Sequence, residues 1–357
     1  MMETTQAEKK LRMQLQCPMP KLDFDVITLG HGSGGILTNR LLDQGVFDIL
    51  KNEHLDKRHD GALLNLEGRT AFTTDSFVVN PIFFPGGDIG DLAVNGTVND
   101  LAMCGAKPQY LSLGFIIEEG LAVEDFWRIL VSIRFAAEEA GVQIVTGDTK
   151  VVERGKGDGI FINTSGIGSV LPDIQIDTCN INAGDAILVS GELANHGIAI
   201  MSVREGLEFE TDIVSDTRAI HHQVLPLLEE FGSDIKLLRD PTRGGVATVL
   251  NEIARDCNYG IDVQQKQVPV DPQVEGACEL LGLDPLYVAN EGIFLAVVDG
   301  AQAPAILERL RQMPEGGKAA QIATVTDEHR RQVVLTSRIG GQRVVNMLVG
   351  EQLPRIC

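Results

Sequence analysis

Along this chain short runs of alternating apolar and polar residues give way to apolar residues three and four apart, and the switch recurs in both halves. After a polar, Met- and Gln-rich leader over 1–28, Val26-Ile27-Thr28-Leu29 predicts a short strand, and the spacing from Ile36 to Leu50 predicts a helix. Leu63, Leu64 and Leu66, followed by Ala71 to Asp75, predict a hairpin turning at Glu67-Gly68-Arg69, with Asp75 at the end of its second strand. Next come a helix over Ile89 to Cys104, a strand over Gln109 to Ile117, an amphipathic helix over Val123 to Ala140, and strands over Val142 to Val145 and Ile160 to Val170.

The second half begins after Leu171-Pro172-Asp173. It predicts a strand from Ala186 to Ser190, helices over Ile198 to Glu205 and Asp216 to Phe231, and a helix to Cys257 opened by Asp240-Pro241-Thr242-Arg243-Gly244-Gly245. A short strand at Ile261 to Val263 and a helix near Val274 to Leu281 follow. A strand from Tyr287 to Val298 is interrupted by Asn290-Glu291-Gly292, ahead of a helix at Ala303 to Met313 and strands near Ala320 to Thr326 and Val333 to Thr336. Two halves with comparable elements place the chain in the α+β class. The predicted divisions are the leader 1–28, domains 29–171 and 172–345, and a mobile tail 346–357 carrying Cys357.

Composition narrows the chemistry. A net charge of -20 argues against nucleic acid or an anionic membrane as partner, so phosphates have to be met by a metal ion or by backbone amides. No apolar run reaches the roughly 18 residues that a membrane helix needs, and the polar start lacks a signal-peptide core, so a cytoplasmic protein is expected. The six cysteines form no CxxC pair or zinc spacing. Cys104, Cys257 and Cys278 fall in apolar helical patterns where a buried, inert thiol is the ordinary outcome, and Cys17 lies in the leader.

Gly32, Ser33, Gly34 and Gly35 open a helix, which makes either an anion cradle of backbone amides or a plain turn with a serine cap. Asp75, Asp100 beside Asn99, and Asp148 in Thr146-Gly147-Asp148-Thr149-Lys150 add three carboxylates without a histidine cluster, a donor set that suits Mg2+ on nucleotide phosphates better than zinc. Glu291, set in an apolar strand, is either an exposed bulge or a site residue. His221-His222 lack a third ligand at metal spacing. The chain closes on Cys357, preceded by Pro354-Arg355-Ile356.

These motifs, with Phe83-Phe84-Pro85-Gly86-Gly87 and Asn95-Gly96-Thr97-Val98-Asn99-Asp100, resemble the HypE family of hydrogenase maturation factors from about residue 27 to the end. That family sits in a superfamily with aminoimidazole ribonucleotide synthetase, selenophosphate synthetase and thiamine-monophosphate kinase. The closing Pro354-Arg355-Ile356-Cys357 is what separates it from those relatives. The resemblance implies a two-domain synthetase-like fold whose N-terminal strands form a dimer barrel. It further implies that a HypF-like carbamoyltransferase loads a carbamoyl group on Cys357, that ATP and Mg2+ drive its dehydration to a thiocyanate, and that the cyano group passes to iron on a HypC–HypD-like scaffold. By the same resemblance Asp75, Asp100 and Asp148 hold Mg2+, Asn99 and Thr149 support them, Gly32 to Gly35 cover the phosphates, Lys150 offsets developing charge and Glu291 is the base. The final dozen residues can extend roughly 40 Å, enough to travel between donor and cleft. One departure is Asn195 in Ala194-Asn195-His196-Gly197, where the family usually carries Asp before His. Two other readings stand: a small-molecule synthetase or kinase in which Cys357 is incidental, and a protein that only presents Cys357 to partners.

Overall fold

The computed structural model describes residues 9, 10, 12, 13, 19, 24–207, 213–348, 350, 353 and 355–357. Cys17, Pro354 and most of the 1–28 leader lie outside the described residues. The chain divides into unit 1, residues 1–83, 87–98 and 108–169, and unit 2, residues 84–86, 99–107 and 170–357.

Unit 1 is built on a sheet of β1 (Thr70–Phe77), β4 (Ala106–Glu118), β5 (Gln143–Val152) and β6 (Ile160–Val170) in the order β1-β6-β4-β5; two short strands, β2 (Phe83–Phe84) and β3 (Gly87–Asp88), lie between β1 and β4 in the sequence. The predicted hairpin does not form: residues 62–67 take no strand, and β1 pairs antiparallel with β6 from Thr70 opposite Ser169 to Phe77 opposite Ile162. Leu63 is 87% exposed and Leu64 and Leu66 are only half-buried, so the apolar run that suggests a first strand has no buried face. β5 also differs, running on to Val152 instead of ending at Val145, parallel to β4 with Gly114 opposite Asp148. Gly147 is the reason, because a Cβ there would lie 2.2 Å from the Leu113 carbonyl oxygen. What reads as a turn glycine is a strand glycine that lets two backbones approach.

The helical stretch after the glycine loop starts as α1 (Ile36–Leu41) and passes through a π-helical turn, Leu42–Val46, before ending at Phe47–Ile49. Within α2 (Ile89–Met103), Gly96 allows close packing, since a Cβ there would stand 2.9 Å from Phe77 Cζ. α3 (Val123–Ala140) buries Phe126, Ile129, Leu130 and Ile133 along one stripe and has Glu124 and Asp125 in its first turn, favourable to the helix dipole. Each such side chain contributes about 1.5–3 kcal/mol by burial. The helix stops at Gly141, whose φ of 67° suits the left-handed cap.

Unit 2 carries a sheet in the order β13-β12-β9-β11-β7-β10-β8. Its strands are β7 (Ala186–Val189), β8 (Ile235–Arg239), β9 (Gly260–Gln264), β10 (Leu295–Val298), β11 (Ala320–Thr326), β12 (Val333–Thr336) and β13 (Gln342–Val345). β7 is buried on both faces. Ile187 and Val189 join the core that includes Val246, Leu250 and Ile253 of α6 (Gly245–Cys257), while Ala186 and Leu188 join Val224 and Leu227 of α5 (His221–Phe231) and Ile306 of α8 (Ala303–Gln312). α4 (Asn195–Glu205) and α7 (Pro272–Leu281) complete the unit.

The predicted strand from Tyr287 is confined to β10; Asn290 diverts the chain, donating to the Pro241 carbonyl at 2.9 Å and accepting the Ala194 N–H at 2.7 Å. α5 begins at His221, not Asp216, because the preceding residues are held by other contacts given below. Of the thiols expected to be buried, Cys278 is buried, Cys257 half-buried and Cys104 exposed. Among the described residues no helix is long and apolar enough to cross a membrane.

Candidate functional site

Within unit 1 a cavity of about 230 Å³ is lined by Gly32 and Gly34, by Thr146 to Lys150 of β5, and by an apolar wall that includes Leu42, Val46, Phe47 and Leu50. The glycines have separate jobs. A Cβ on Gly32 would meet the Val151 backbone nitrogen at 2.7 Å, so the loop can lie against β5 only without a side chain; Gly34 has a φ of 79°. The Gly34 N–H donates to Thr38 Oγ1 at 2.9 Å. Ser33 does not cap α1: its hydroxyl donates to the Gly30 carbonyl at 2.9 Å and the cap residue is Gly35. Neither Ser33 nor Gly35 lines the cavity.

Asp148 and Lys150 are two residues apart on β5, so their side chains leave the same face of the sheet. The Lys150 ammonium lies 2.7 Å from Asp148 Oδ2, and that contact, with the Thr149 N–H at 2.8 Å, holds the Asp148 carboxyl below the usual carboxylate range. Both side chains are largely exposed, so the pair itself stabilises the fold little.

Asp75 lies within β1, opposite Thr164, and not at a strand end. Its Oδ1 accepts the Ser76 N–H at 2.7 Å, and Asn163 Nδ2 donates to its carbonyl at 2.8 Å. Asp75 and Asp148 belong to unit 1 and Asp100, on α2, to unit 2. Among the described residues no three His, Cys, Asp or Glu side chains converge as a metal-holding group.

The remaining predicted residues lie in unit 2. Asn99 is buried and its amide is committed to backbone, donating to the carbonyls of Arg218 at 3.0 Å and Glu291 at 3.2 Å and accepting the Ile220 N–H at 2.9 Å. Glu291 is 4% exposed, so it is not an exposed bulge. Asp216 fastens the same turn by accepting the N–H groups of Glu291 at 3.2 Å and Gly292 at 3.0 Å. No side chain fits at Gly292, where a Cβ would lie 1.7 Å from the Asp216 carbonyl oxygen. The closing residues lie in this unit too: Ile356 is buried, Cys357 is half-buried, and the Arg355 carbonyl accepts from the Arg204 guanidinium.

Three groups here escaped the sequence. His196, Ser215 and Asp216 come from α4 and from the extended segment before α5, and no fixed spacing joins them. The one available signal was the Asn195 departure, which flags the turn that carries His196. His196 is fully buried, with Nδ1 2.7 Å from Ser215 Oγ and Nε2 2.7 Å from the Ile356 carbonyl oxygen. Burial pushes its pKa down, against the pull of Asp216.

Two family models match the chain, AIR synthase related protein N-terminal domain over residues 58–170 and AIR synthase related protein C-terminal domain over residues 182–336. A carbamoyl dehydratase HypE from Azotobacter vinelandii is 50% identical over 342 residues, covering 95% of this chain and all of that protein. A crystal structure of the hydrogenase maturation protein HypE in complex with ATP superposes with a TM-score of 0.89 at 48% identity, covering 92% of this chain and 99% of that one. The crystal structure of a HypE–HypF complex is similar at a TM-score of 0.76 and 45% identity, covering 88% of this chain and 100% of that one.

Proposed function

The chain belongs to the HypE family of AIR synthase related proteins, and from that premise we propose that it is an ATP-dependent carbamoyl dehydratase of hydrogenase maturation whose substrate is the S-carbamoyl group on its own Cys357. The observation that carries this reading is that backbone glycines, Asp148, Thr149 and Lys150 line one cavity with an apolar wall, a surface suited to a nucleotide with its phosphates on the polar side.

An amide oxygen is a poor leaving group. Transfer of the γ-phosphoryl of ATP to the carbamoyl oxygen converts it to phosphate; the C–O bond then breaks as the two nitrogen protons are lost and C≡N forms, giving thiocyanate, ADP and phosphate. Lys150 offsets charge on the transferred group. Glu291 takes a nitrogen proton, and Asn99 and Asp216 position it by holding its backbone carbonyl and N–H. Mg2+ on a nucleotide ordinarily uses one or two carboxylates beside phosphates and water, and Asp148, kept ionised by Lys150, fits that demand, with Asp75 and Asp100 as further ligands. Bound there, the ion would neutralise phosphate charge.

A HypF-like carbamoyltransferase supplies the group, a HypC–HypD-like iron scaffold receives the cyano product, and two copies pair through unit 1 strands in a dimer barrel, all in the cytoplasm. The domain limits 29–171 and 172–345 and a tail over 346–357 that moves between donor and cleft belong to the same proposal. Phosphate release tests it. Carbamoylated chain with MgATP should release one phosphate per Cys357, whereas phosphate release from added small molecules without that dependence would favour a small-molecule synthetase of the superfamily, and ADP formation with no free phosphate a kinase.

A further inference from the structure

Ile356 has an acceptor-only carbonyl, so the His196 nitrogen 2.7 Å away must carry its hydrogen on Nε2. A neutral imidazole then has a bare Nδ1, and Ser215 Oγ–H has to donate to it at 2.7 Å while accepting the Thr217 N–H at 3.1 Å. The tautomer is thus assigned by its partners, in a one-way chain from Thr217 through Ser215 and His196 to Ile356. Other contacts fix the imidazole. Phe84 stands edge-on to it with centroids 5.5 Å apart, and the Ser215 N–H donates to the Pro85 carbonyl at 2.8 Å. Gly86, with a φ of 94°, leaves no room for a Cβ beside the Ser215 nitrogen, which would lie 2.8 Å away.

We infer that His196 is a positioning residue that seats the closing residues of the chain, holding the Ile356 carbonyl so that Cys357 has a defined resting place in unit 2. The seat has three further points of contact. Arg204, one helical face along α4, donates to the Arg355 carbonyl; Ile356 is 2% exposed; and Leu353 lies against Gly197, where a Cβ would be 3.4 Å from its Cδ1. Ser215 is chain neighbour to Asp216, which holds the Glu291 turn, so one short segment fixes both the tail seat and the carboxylate proposed as base. A tethered substrate has to leave its seat to meet other groups, and the strength of the His196 hydrogen bond sets how often it does.

The test is alkylation of the full-length protein by iodoacetamide, read thiol by thiol by peptide mass. It needs neither ATP nor a carbamoyl donor, so its outcome is separate from that of the catalytic reading. His196→Ala should speed Cys357 alkylation about tenfold, the order of one buried hydrogen bond, with exposed Cys179 unchanged. His196→Gln, whose amide can still donate to Ile356, should restore slow alkylation. Equal Cys357 rates in wild type and His196→Ala overturn the inference. Should buried Cys278 become reactive in His196→Ala, the fold has been lost and Ser215→Ala decides: Cys357 acceleration with Cys278 still protected supports the seat, and no acceleration overturns it.

Discussion

Lys150 and Asp148 leave the same face of β5 and meet at 2.7 Å, so a cation already sits on the carboxylate that a nucleotide-borne metal would use. On the proposed reading, nucleotide and metal would either share Asp148 with Lys150 or draw Lys150 away onto the transferred phosphoryl group. Lys150→Met should leave the melting temperature almost unchanged, because exposed pairs of this kind contribute roughly 0–1 kcal/mol. The same change should slow ATP-dependent phosphate release by roughly 100-fold or more, as removal of a transition-state donor does. Calorimetry and a phosphate assay on one preparation check both halves.

Gly147→Ala should act through the backbone. Its Cβ would lie 2.2 Å from the Leu113 carbonyl oxygen and force β5 from β4 directly under the cavity wall. The expected cost is several kcal/mol, in the range of severe steric substitutions, together with loss of ATP binding. Urea unfolding and nucleotide titration measure them.

Glu291→Gln keeps the size and backbone contacts of the residue while removing its basicity. ATP affinity and carbamoylation of Cys357 should persist, and dehydration should fall by roughly 10²–10⁴, the usual contribution of a positioned base. Unchanged turnover would rule Glu291 out.

Lys10 marks a different place, a buried acid pair in unit 1. Its ammonium donates to Asp88 at 3.0 Å and also meets Asp91, and Asp88 caps the start of α2 by accepting the Gly90 N–H at 2.8 Å. One ammonium offsets only one of two charges. Burial first, and Asp88 second, push the Asp91 pKa up to about 7, whereas the pair keeps Lys10 protonated. An acid whose pKa rises on folding binds more protons in the folded state, so its contribution to stability falls as pH climbs from the ordinary value of 3.8 to about 7. Asp91→Asn should flatten that decline. Lys10→Met should steepen it and cost about 3 kcal/mol at pH 8, as breaking a buried pair does. Unfolding free energies at pH 5 and pH 8 read out both.

The parts of this molecule written in contiguous residues were legible in the sequence. The stripe on α3 and the Gly32 to Gly35 and Thr146 to Lys150 segments announce themselves by spacing, although of the first segment only Gly32 and Gly34 line the cavity. Glycine was the main source of error, since the residue type that makes turns also permits close approach; Gly147 therefore marks a strand interior where a strand end was expected. The hairpin does not form because alternation cannot distinguish a strand from a partly exposed apolar stretch such as Leu63 to Leu66. His196, Ser215 and Asp216 were hidden for another reason. Their pairing depends on tertiary placement of an extended segment, and neither a lone histidine at a helix start nor a loop aspartate carries a periodic signature.

The most direct measurement of the central claim is the intact mass of the chain after exposure first to a carbamoyl donor enzyme and then to MgATP. The account predicts a gain of one carbamoyl group on the Cys357 peptide, followed by the loss of one water only when ATP is present. A carbamoyl adduct that persists unchanged with MgATP, or no adduct on Cys357 at all, would contradict it.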